Sequence, residues 1–290
     1  MIVSEITLGK FDYQSSFPES KKPKSFDTTI ERATYGELSE AWFKSREVEL
    51  TANTLRKTAS QLRTLISIVG EQTPLTSMRH SDILKYRSEL LFGQTRYDTA
   101  KRSNKMGRSV RTVDNYTSLF NSLLRFAYRS GFINDMPFEG VKKLQKSRPK
   151  PDPLIKVEFS KLMSTLSGQP NNLWQFAVYS GIRHGELAAL AWEDIDLEAG
   201  TVKVQRNLNA LGHFGPPKTL AGNRTITLLK PALAALKAQR KITAFFPKAK
   251  ITFYHREYGL TETQNLHFVF MPRAAKGVQK PYYSLSSIGA

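Results

Sequence analysis

Cysteine is absent from the 290-residue sequence, so disulfides, cysteine-ligated zinc and thiol catalysis are excluded. No apolar run approaches the about 18 residues that a membrane-spanning helix requires. Met1 to Lys10 lack the basic start and the apolar stretch of a signal peptide. A Gly-x-x-x-x-Gly-Lys-(Ser/Thr) phosphate loop is also missing, so nothing indicates the use of ATP. These absences predict a cytosolic protein without a membrane segment.

Acidic residues are scarce relative to basic ones. The sequence has 43 Lys and Arg against 25 Asp and Glu, which gives a formal net charge of +18. This excess predicts a polyanionic partner, and nucleic acid is favoured because no basic amphipathic membrane helix is evident. A basic protein without such a partner is the alternative. The length leaves room for about two domains.

Helical periodicity begins at Thr34, after a Ser-, Pro- and Lys-rich stretch that predicts a tail over residues 1–33. Thr34 and Glu37 have the spacing of a capping box, and Gly131 suits a helix end. The apolar spacing predicts four helices that begin at Thr34, at about Thr51, near Ser81 and at about Ser109. Four amphipathic helices predict a small all-helical domain over residues 34–141.

A run of cations lies between the third and fourth predicted helices and continues into the fourth. Such a run suits the edge of a helical domain that contacts DNA phosphates, and a solvated loop is the alternative. The predicted DNA-binding residues of this region are Arg96, Lys101, Arg102, Lys105, Arg108 and Arg111.

A basic linker is predicted over residues 142–155, where prolines alternate with other residues. The prolines keep such a segment extended, and its cations give it little reason to pack on protein. We therefore expect Lys146, Arg148 and Lys150 to be available to DNA. A plain solvated hinge is the alternative.

An α+β domain is predicted over residues 156–290. Its expected elements are a helix over 156–166, strands over 201–205 and 224–228, and a helix over 232–242. The first of these helices is expected to bury Val157, Phe159, Leu162 and Met163. The sequence from Phe245 onward predicts little regular structure.

The most informative segment is Ser180-Gly-Ile-Arg-His-Gly-Glu-Leu, followed by Ala-Ala-Leu-Ala-Trp-Glu-Asp-Ile-Asp. An apolar helix over 173–179 ends at its Ser-Gly pair, and Arg183 stands at the start of a second helix. Leu187, Leu190 and Ala191 recur at helical spacing and are expected to bury that second helix. A guanidinium held there suits bidentate capture of a phosphate, whereas a surface ion pair is the alternative.

This segment closely resembles the first-arginine motif of the tyrosine recombinases, the phage integrase family. The resemblance implies a mainly α fold with a small antiparallel β-sheet. It implies a helical, SAM-like core-binding domain followed by the N-terminal part of an α+β catalytic domain. Arg183 would then bind the scissile phosphate, with Glu186 in support.

A second segment, Pro216-Pro-Lys-Thr-Leu-Ala-Gly-Asn-Arg-Thr-Ile, resembles the hairpin motif of the same family. The resemblance implies that Lys218 gives a proton to the departing 5′ oxygen, which suits an ammonium on a mobile hairpin. Gly222 departs from the pattern, because serine is common at its position.

Other family motifs are absent from the 290 residues. No His-x-x-Arg occurs, and Tyr282 and Tyr283 come too early to be the nucleophile. The family pattern therefore predicts a recombinase that is incomplete at its C-terminus, with no nucleophile in this chain and no activity alone. Residues 1–33 resemble the end of an arm-type DNA-binding segment, so the N-terminus is also expected to be incomplete.

For the complete protein, the resemblance implies site-specific integration through a 3′-phosphotyrosine, without cofactor or metal. Its partners would be double-stranded DNA attachment sites, on which four copies assemble, with no membrane. It would be a bacterial or phage-encoded cytoplasmic protein associated with the nucleoid. The alternatives are a non-catalytic integrase-derived decoy or regulator and an RNA-binding helical protein.

Three acidic residues leave another interpretation to weigh. Glu193, Asp194 and Asp196 fit either a two-metal nuclease or structural capping, and capping is favoured. His213, His255 and His267 lack metal-ligand spacing.

Overall fold

The structure, a computed structural model, describes residues 33–95, 105–147, 150–273 and 280–288. The chain divides into two compact units, and the second begins at Lys150. This division lies inside the segment that the sequence predicts as a linker. None of the helices in the described ranges is long and apolar enough to cross a membrane.

The first unit is a bundle of helices with one small two-stranded ladder. The ladder joins β1 and β2 in antiparallel fashion. Its elements are α1 (Tyr35–Arg46), α2 (Ala52–Val69), α3 (His80–Phe92), β1 (Gln94–Thr95), β2 (Lys105–Met106) and α4 (Val110–Arg129).

Local capping explains where these helices begin and end. The Thr34 backbone N–H donates to Glu37 at 2.9 Å, and the Glu37 N–H donates back to the Thr34 hydroxyl at 3.3 Å. This reciprocal pair confirms the predicted capping box. Gly131 takes a left-handed conformation with φ of 77° after α4, as predicted from its place in the sequence.

Aromatic side chains fill the centre of this bundle. The Tyr35 and Phe120 rings meet edge to face with centroids 5.4 Å apart, and Tyr86 meets Phe120 in the same way at 5.8 Å. Tyr35 is completely buried, and this burial raises the pKa of its hydroxyl above the ordinary value.

The first residues of the predicted linker are held against the helices of the first unit. The Arg87 guanidinium donates to the Lys142 carbonyl at 3.0 Å, and the Leu144 N–H donates to Asp114 at 3.2 Å. Lys146 also pairs with Asp114 at 2.6 Å. The expectation that this segment has little reason to pack on protein is therefore wrong for residues 142–146, because a buried carboxylate on α4 attracts it.

The second unit combines four helices with two small sheets within residues 150–273. The helices are α5 (Lys156–Thr165), α6 (Gly168–Ser180), α7 (His184–Ala188) and α8 (Lys230–Thr243). The strands are β3 (Ile195–Asp196), β4 (Thr201–Val204), β5 (Asn207–Leu208), β6 (Phe214–Gly215), β7 (Arg224–Thr227), β8 (Ala249–Tyr254) and β9 (Thr261–Leu266).

The two sheets differ in strand order and direction. The first sheet has the order β3-β4-β7 and is antiparallel, with Val202 opposite Ile226. The second has the order β5-β6-β8-β9, in which β6 and β8 run parallel. The predicted strands over 201–205 and 224–228 are confirmed to within one residue. The fold is mainly helical with small sheets, as the sequence predicts.

Three features of this unit differ from the sequence predictions. The β8–β9 hairpin lies in the region for which little regular structure was expected, and it buries Ile251 and Phe253 on alternate positions. The polar sequence of β9 hid this pairing. Helix α5 has no fully buried residue: Phe159, Leu162 and Met163 of the predicted face are half-buried, and Val157 is 74% exposed, so the prediction is wrong for Val157.

The third difference concerns the helix after Arg183. It ends at Ala188, whereas Leu190 and Ala191 lie beyond it and Ala191 is extended. Both are buried nonetheless, because the Leu190 carbonyl accepts from the Val269 N–H at 3.0 Å and Ala191 forms a bridge with Phe268. The apolar spacing thus identified core residues correctly but assigned them to the wrong element.

Candidate functional site

Arg183 occupies the position directly before α7. Helix α6 ends when Gly181 adopts a left-handed conformation with φ of 62°, and its N–H donates to the Ala177 carbonyl at 3.1 Å. Ile182 then buries its side chain, and Arg183 takes extended backbone angles. This turn leaves the Arg183 side chain 62% exposed.

Gly185 allows α7 to pack closely against β5. A Cβ atom at this position would lie 2.3 Å from the Asn207 side-chain oxygen and 2.6 Å from the Leu208 carbonyl oxygen. No larger residue fits without movement of the backbone. The close approach therefore holds the turn that carries Arg183 against the second sheet.

Glu186 lies beneath Arg183 and is almost fully buried, with its side chain 1% exposed. One carboxylate oxygen accepts from the Arg183 guanidinium at 2.9 Å. The other accepts from the Arg183 backbone N–H at 3.1 Å and from the Arg224 guanidinium at 2.9 Å. One buried carboxylate thus binds two guanidinium groups.

The electrostatics of Glu186 favour its charged form. Burial raises its pKa, but the hydrogen bonds from Arg224 and Arg183 outweigh burial and hold the pKa below the ordinary value. The carboxylate is therefore ionised at neutral pH. Two guanidinium charges meet one carboxylate charge, so the cluster carries a net positive charge beside solvent.

Arg224 is the site residue that the sequence reasoning missed. It stands on β7, 38 positions from Glu186 in the chain, and its side chain is 29% exposed. Arg224 lies within the hairpin motif, but the sequence analysis gave it no role. Its place in the motif could have suggested a function, but only the folded chain shows that it binds Glu186.

Lys218 lies in the loop between β6 and β7 and is exposed. Its neighbour Pro217 is buried, and the Pro217 carbonyl accepts from the Arg256 guanidinium at 2.5 Å. The loop is thus held from the β8–β9 turn while Lys218 remains in solvent. A cleft of about 440 Å³, lined partly by Pro216 and Asn223, borders the same loop.

Asp194 belongs to a separate buried cluster. Its carboxylate accepts from the Ala191 N–H at 3.1 Å, from Gln205 at 2.7 Å and from Arg206, with which it forms a buried ion pair. Asp196 accepts from two backbone N–H groups in the next turn. These contacts are structural caps, and no group of three metal-binding side chains occurs within the described ranges.

The predicted DNA-binding cations are scattered in their placement. Arg111 and Lys150 are exposed. Arg108 donates to the Leu90 carbonyl at 3.5 Å and its guanidinium lies 5.6 Å from the centre of the Tyr116 ring. Lys146 pairs with Asp114, and Lys105 lies on β2. Arg96, Lys101, Arg102 and Arg148 lie outside the described residues.

Tyr282 and Tyr283, near the C-terminal end of the sequence, are half-buried in the second unit. Tyr282 meets the rings of Phe214 and Phe268 at 4.9 and 5.0 Å. Tyr283 accepts from the Gln169 amide at 3.3 Å, and burial raises the pKa of its hydroxyl.

Comparison with known proteins shows which family the chain belongs to. The profile described as "Phage integrase family" matches residues 154–281. The prophage integrase IntR of Escherichia coli is 62% identical over 290 residues, which cover 100% of this chain and 71% of that protein. The putative defective protein IntQ of Escherichia coli is 38% identical and matches 98% of this chain and 72% of its own length.

Solved structures share the fold at lower identity. The Tn1549 transposon integrase in complex with a circular intermediate DNA superposes with a TM-score of 0.64 at 19% identity, covering 85% of this chain and 73% of that chain. A lambda integrase tetramer bound to a Holliday junction gives a TM-score of 0.54 at 15% identity, covering 83% and 65%. The chain belongs to the phage integrase family, the tyrosine recombinases that carry out site-specific DNA recombination.

Proposed function

We propose that Arg183 binds the non-bridging oxygens of the scissile phosphate in site-specific recombination. The observation that carries this role is its pairing with Glu186: the acid is buried, while the arginine side chain remains 62% exposed. An anchored guanidinium that faces solvent can offset the charge that builds on phosphorus during strand exchange. Glu186 acts as a positioning residue below it.

Lys218 supplies the proton to the departing 5′ oxygen. Its loop is held at the buried Pro217, whereas the ammonium group itself is exposed. A lysine on an anchored loop, with its ammonium group in solvent, can approach DNA. General acid catalysis needs this access more than it needs burial.

The first unit serves as the core-binding domain and grips the duplex with exposed cations that include Arg111. The second unit forms part of the catalytic domain, and the basic segment around Lys150 contacts DNA phosphates. Four copies act on two double-stranded attachment sites. The lambda integrase tetramer, which shares the fold, supports this assembly.

The 290 residues bind DNA and orient a phosphate but do not cleave it by themselves. No histidine among them is followed three positions later by arginine, and Tyr282 and Tyr283 are engaged in packing and in a hydrogen bond. A second candidate is a DNA-binding regulator without catalysis. The name of IntQ, a putative defective protein at 38% identity, favours keeping this candidate.

An Arg183→Lys variant tests the phosphate role, because an ammonium cannot reproduce the two-pronged contact of a guanidinium. We expect weaker binding to a labelled DNA duplex in fluorescence anisotropy. Arg240→Lys is the matched control, since Arg240 is an exposed arginine of the same unit in the last turn of α8. Equal affinities for wild type and Arg183→Lys would refute the role.

Two further measurements separate the candidates. Incubation of the 290-residue chain with duplex DNA, followed by denaturing electrophoresis, is expected to show no covalent adduct, and an adduct would overturn the proposed lack of cleavage. Competition with double-stranded RNA is expected to displace little labelled DNA. Equal competition by RNA would favour an RNA-binding function instead.

A further inference from the structure

Arg224 makes two contacts with its two terminal nitrogens. One nitrogen donates to the Glu186 carboxylate at 2.9 Å, and the other donates to the Gly222 carbonyl at 2.9 Å. The first contact leads to the acid that holds Arg183. The second leads into the loop that carries Lys218.

The contact with Gly222 is linked to Lys218 through the packing of the loop. A Cβ atom on Gly222 would lie 2.5 Å from the Cβ atom of Pro217, so the backbone at Gly222 is seated directly on that buried proline. Pro217 immediately precedes Lys218 and is held from the other side by Arg256 at 2.5 Å. Gly222, where serine is common in the family pattern, thus allows the approach that closes the loop.

We infer that Arg224 is a positioning residue that sets the placement of Arg183 and Lys218 together. This inference rests on the proposed function of those two groups. Arg224 is not a candidate for the phosphate contact itself, because both terminal nitrogens bind protein groups and the side chain is only 29% exposed. It joins the guanidinium that would hold the phosphate to the loop that would deliver the proton.

Arginine is required for this link by its shape. The planar fork directs its two terminal nitrogens to separate acceptors, whereas the single nitrogen of lysine is a point charge on a flexible stem. A lysine at this position keeps the charge beside Glu186 and loses the fixed geometry towards Gly222. Arg224→Lys therefore separates positioning from simple charge neutralisation.

A double-mutant cycle tests the link to Arg183. The affinity for a short labelled DNA duplex is measured for wild type, Arg183→Ala, Arg224→Lys and the double variant. We expect Arg224→Lys to weaken binding about threefold in the wild-type background and not at all in the Arg183→Ala background, which is strong coupling. Equal weakening in both backgrounds would overturn the link to Arg183.

The cycle also separates failure of the inference from failure of the proposed function. If Arg183→Ala leaves binding unchanged, the phosphate role of Arg183 is wrong. If Arg183→Ala weakens binding and Arg224→Lys then adds its full effect, only the inference is wrong.

Limited trypsin digestion tests the link to Lys218 without DNA. We expect Arg224→Lys to raise cleavage after Lys218 several-fold, while cleavage after Lys237 inside α8 stays constant and shows that the unit remains folded. Arg240→Lys is the control and should leave both cleavages unchanged. Unchanged cleavage after Lys218 in Arg224→Lys, or a parallel rise at both sites, would overturn the link to the loop.

Discussion

Asp194 and Glu186 are buried carboxylates that lie eight positions apart in one motif, yet they have different consequences. Asp194 pairs with Arg206, and the two side chains are 3% and 6% exposed. Glu186 pairs with Arg183 and Arg224, whose side chains are 62% and 29% exposed. The first cluster is closed within the fold, and the second offers a guanidinium to solvent.

The difference shows how one chemical pair serves structure in one place and recognition in another. A buried acid and a buried arginine neutralise each other, so the pair ties the turn after α7 to the segment between β4 and β5. A buried acid beneath an exposed arginine instead fixes a cation that still has donors for a ligand. Exposure of the partner, more than the presence of the ion pair, marks the candidate site.

The largest expected effect comes from opening the closed cluster. Asp194→Asn leaves the buried Arg206 charge without its partner, and we expect the free energy of unfolding to fall by about 3 kcal/mol. Urea denaturation measures the change. The exposed Asp196→Asn variant is the control and should stay within about 0.5 kcal/mol of wild type. A loss of the same small size for Asp194→Asn would remove the distinction between the clusters.

A smaller loss of stability is expected from Glu186→Gln. Its two arginine partners reach solvent, so the free energy of unfolding should fall by about 1 kcal/mol. DNA affinity should fall as well, because Arg183 loses its charged anchor. Asp194→Asn, measured where it is still folded, should keep its DNA affinity. Undiminished DNA binding by Glu186→Gln would show that Glu186 does not support a DNA-binding site.

The pH dependence of stability should also distinguish wild type from Glu186→Gln. The pKa of Glu186 is lower in the folded chain than in the unfolded chain, so its contribution to stability is present above the unfolded value of about 4.3. The contribution is lost as pH falls through the folded pKa. Stability measured between neutral and acid pH should therefore fall more steeply for wild type than for Glu186→Gln. Identical slopes would contradict the lowered pKa.

Asp114 provides the smallest effect and a test of the exposure criterion. Its side chain is 6% exposed and its partner Lys146 is 40% exposed. Lys146→Gln should cost less than about 1 kcal/mol of unfolding free energy, because the partner is partly screened by water. Lys142→Gln is the control on the same segment. By the exposure criterion, DNA affinity should fall more for Lys146→Gln than for Lys142→Gln, and equal affinities would contradict the criterion.

Local signals predicted much of the fold. The Thr34 capping box, the glycine at position 131 and the alternation around Val202 act over a few residues, and each was identified correctly from the sequence. The motif around Arg183 likewise contains both Arg183 and Glu186 within one turn. Contacts of this range are fixed by spacing, which the sequence displays directly.

Contacts between distant segments were not predictable in the same way. The partnership of Arg224 with Glu186 and that of Lys146 with Asp114 depend on how elements fold together. Strand β9 was hidden because its polar residues follow no apolar alternation, and it gains its place by pairing with β8. Helix α5 shows the converse, since its apolar spacing led only to half-burial of Phe159, Leu162 and Met163 and left Val157 exposed.

The salt dependence of DNA binding by Arg183→Ala tests the central claim most directly. The logarithm of the binding constant is plotted against the logarithm of salt concentration for wild type and the variant. If Arg183 contacts a phosphate, the variant should bind more weakly and its slope should be shallower by about 1. Identical affinity and slope would show that this exposed guanidinium does not contact DNA.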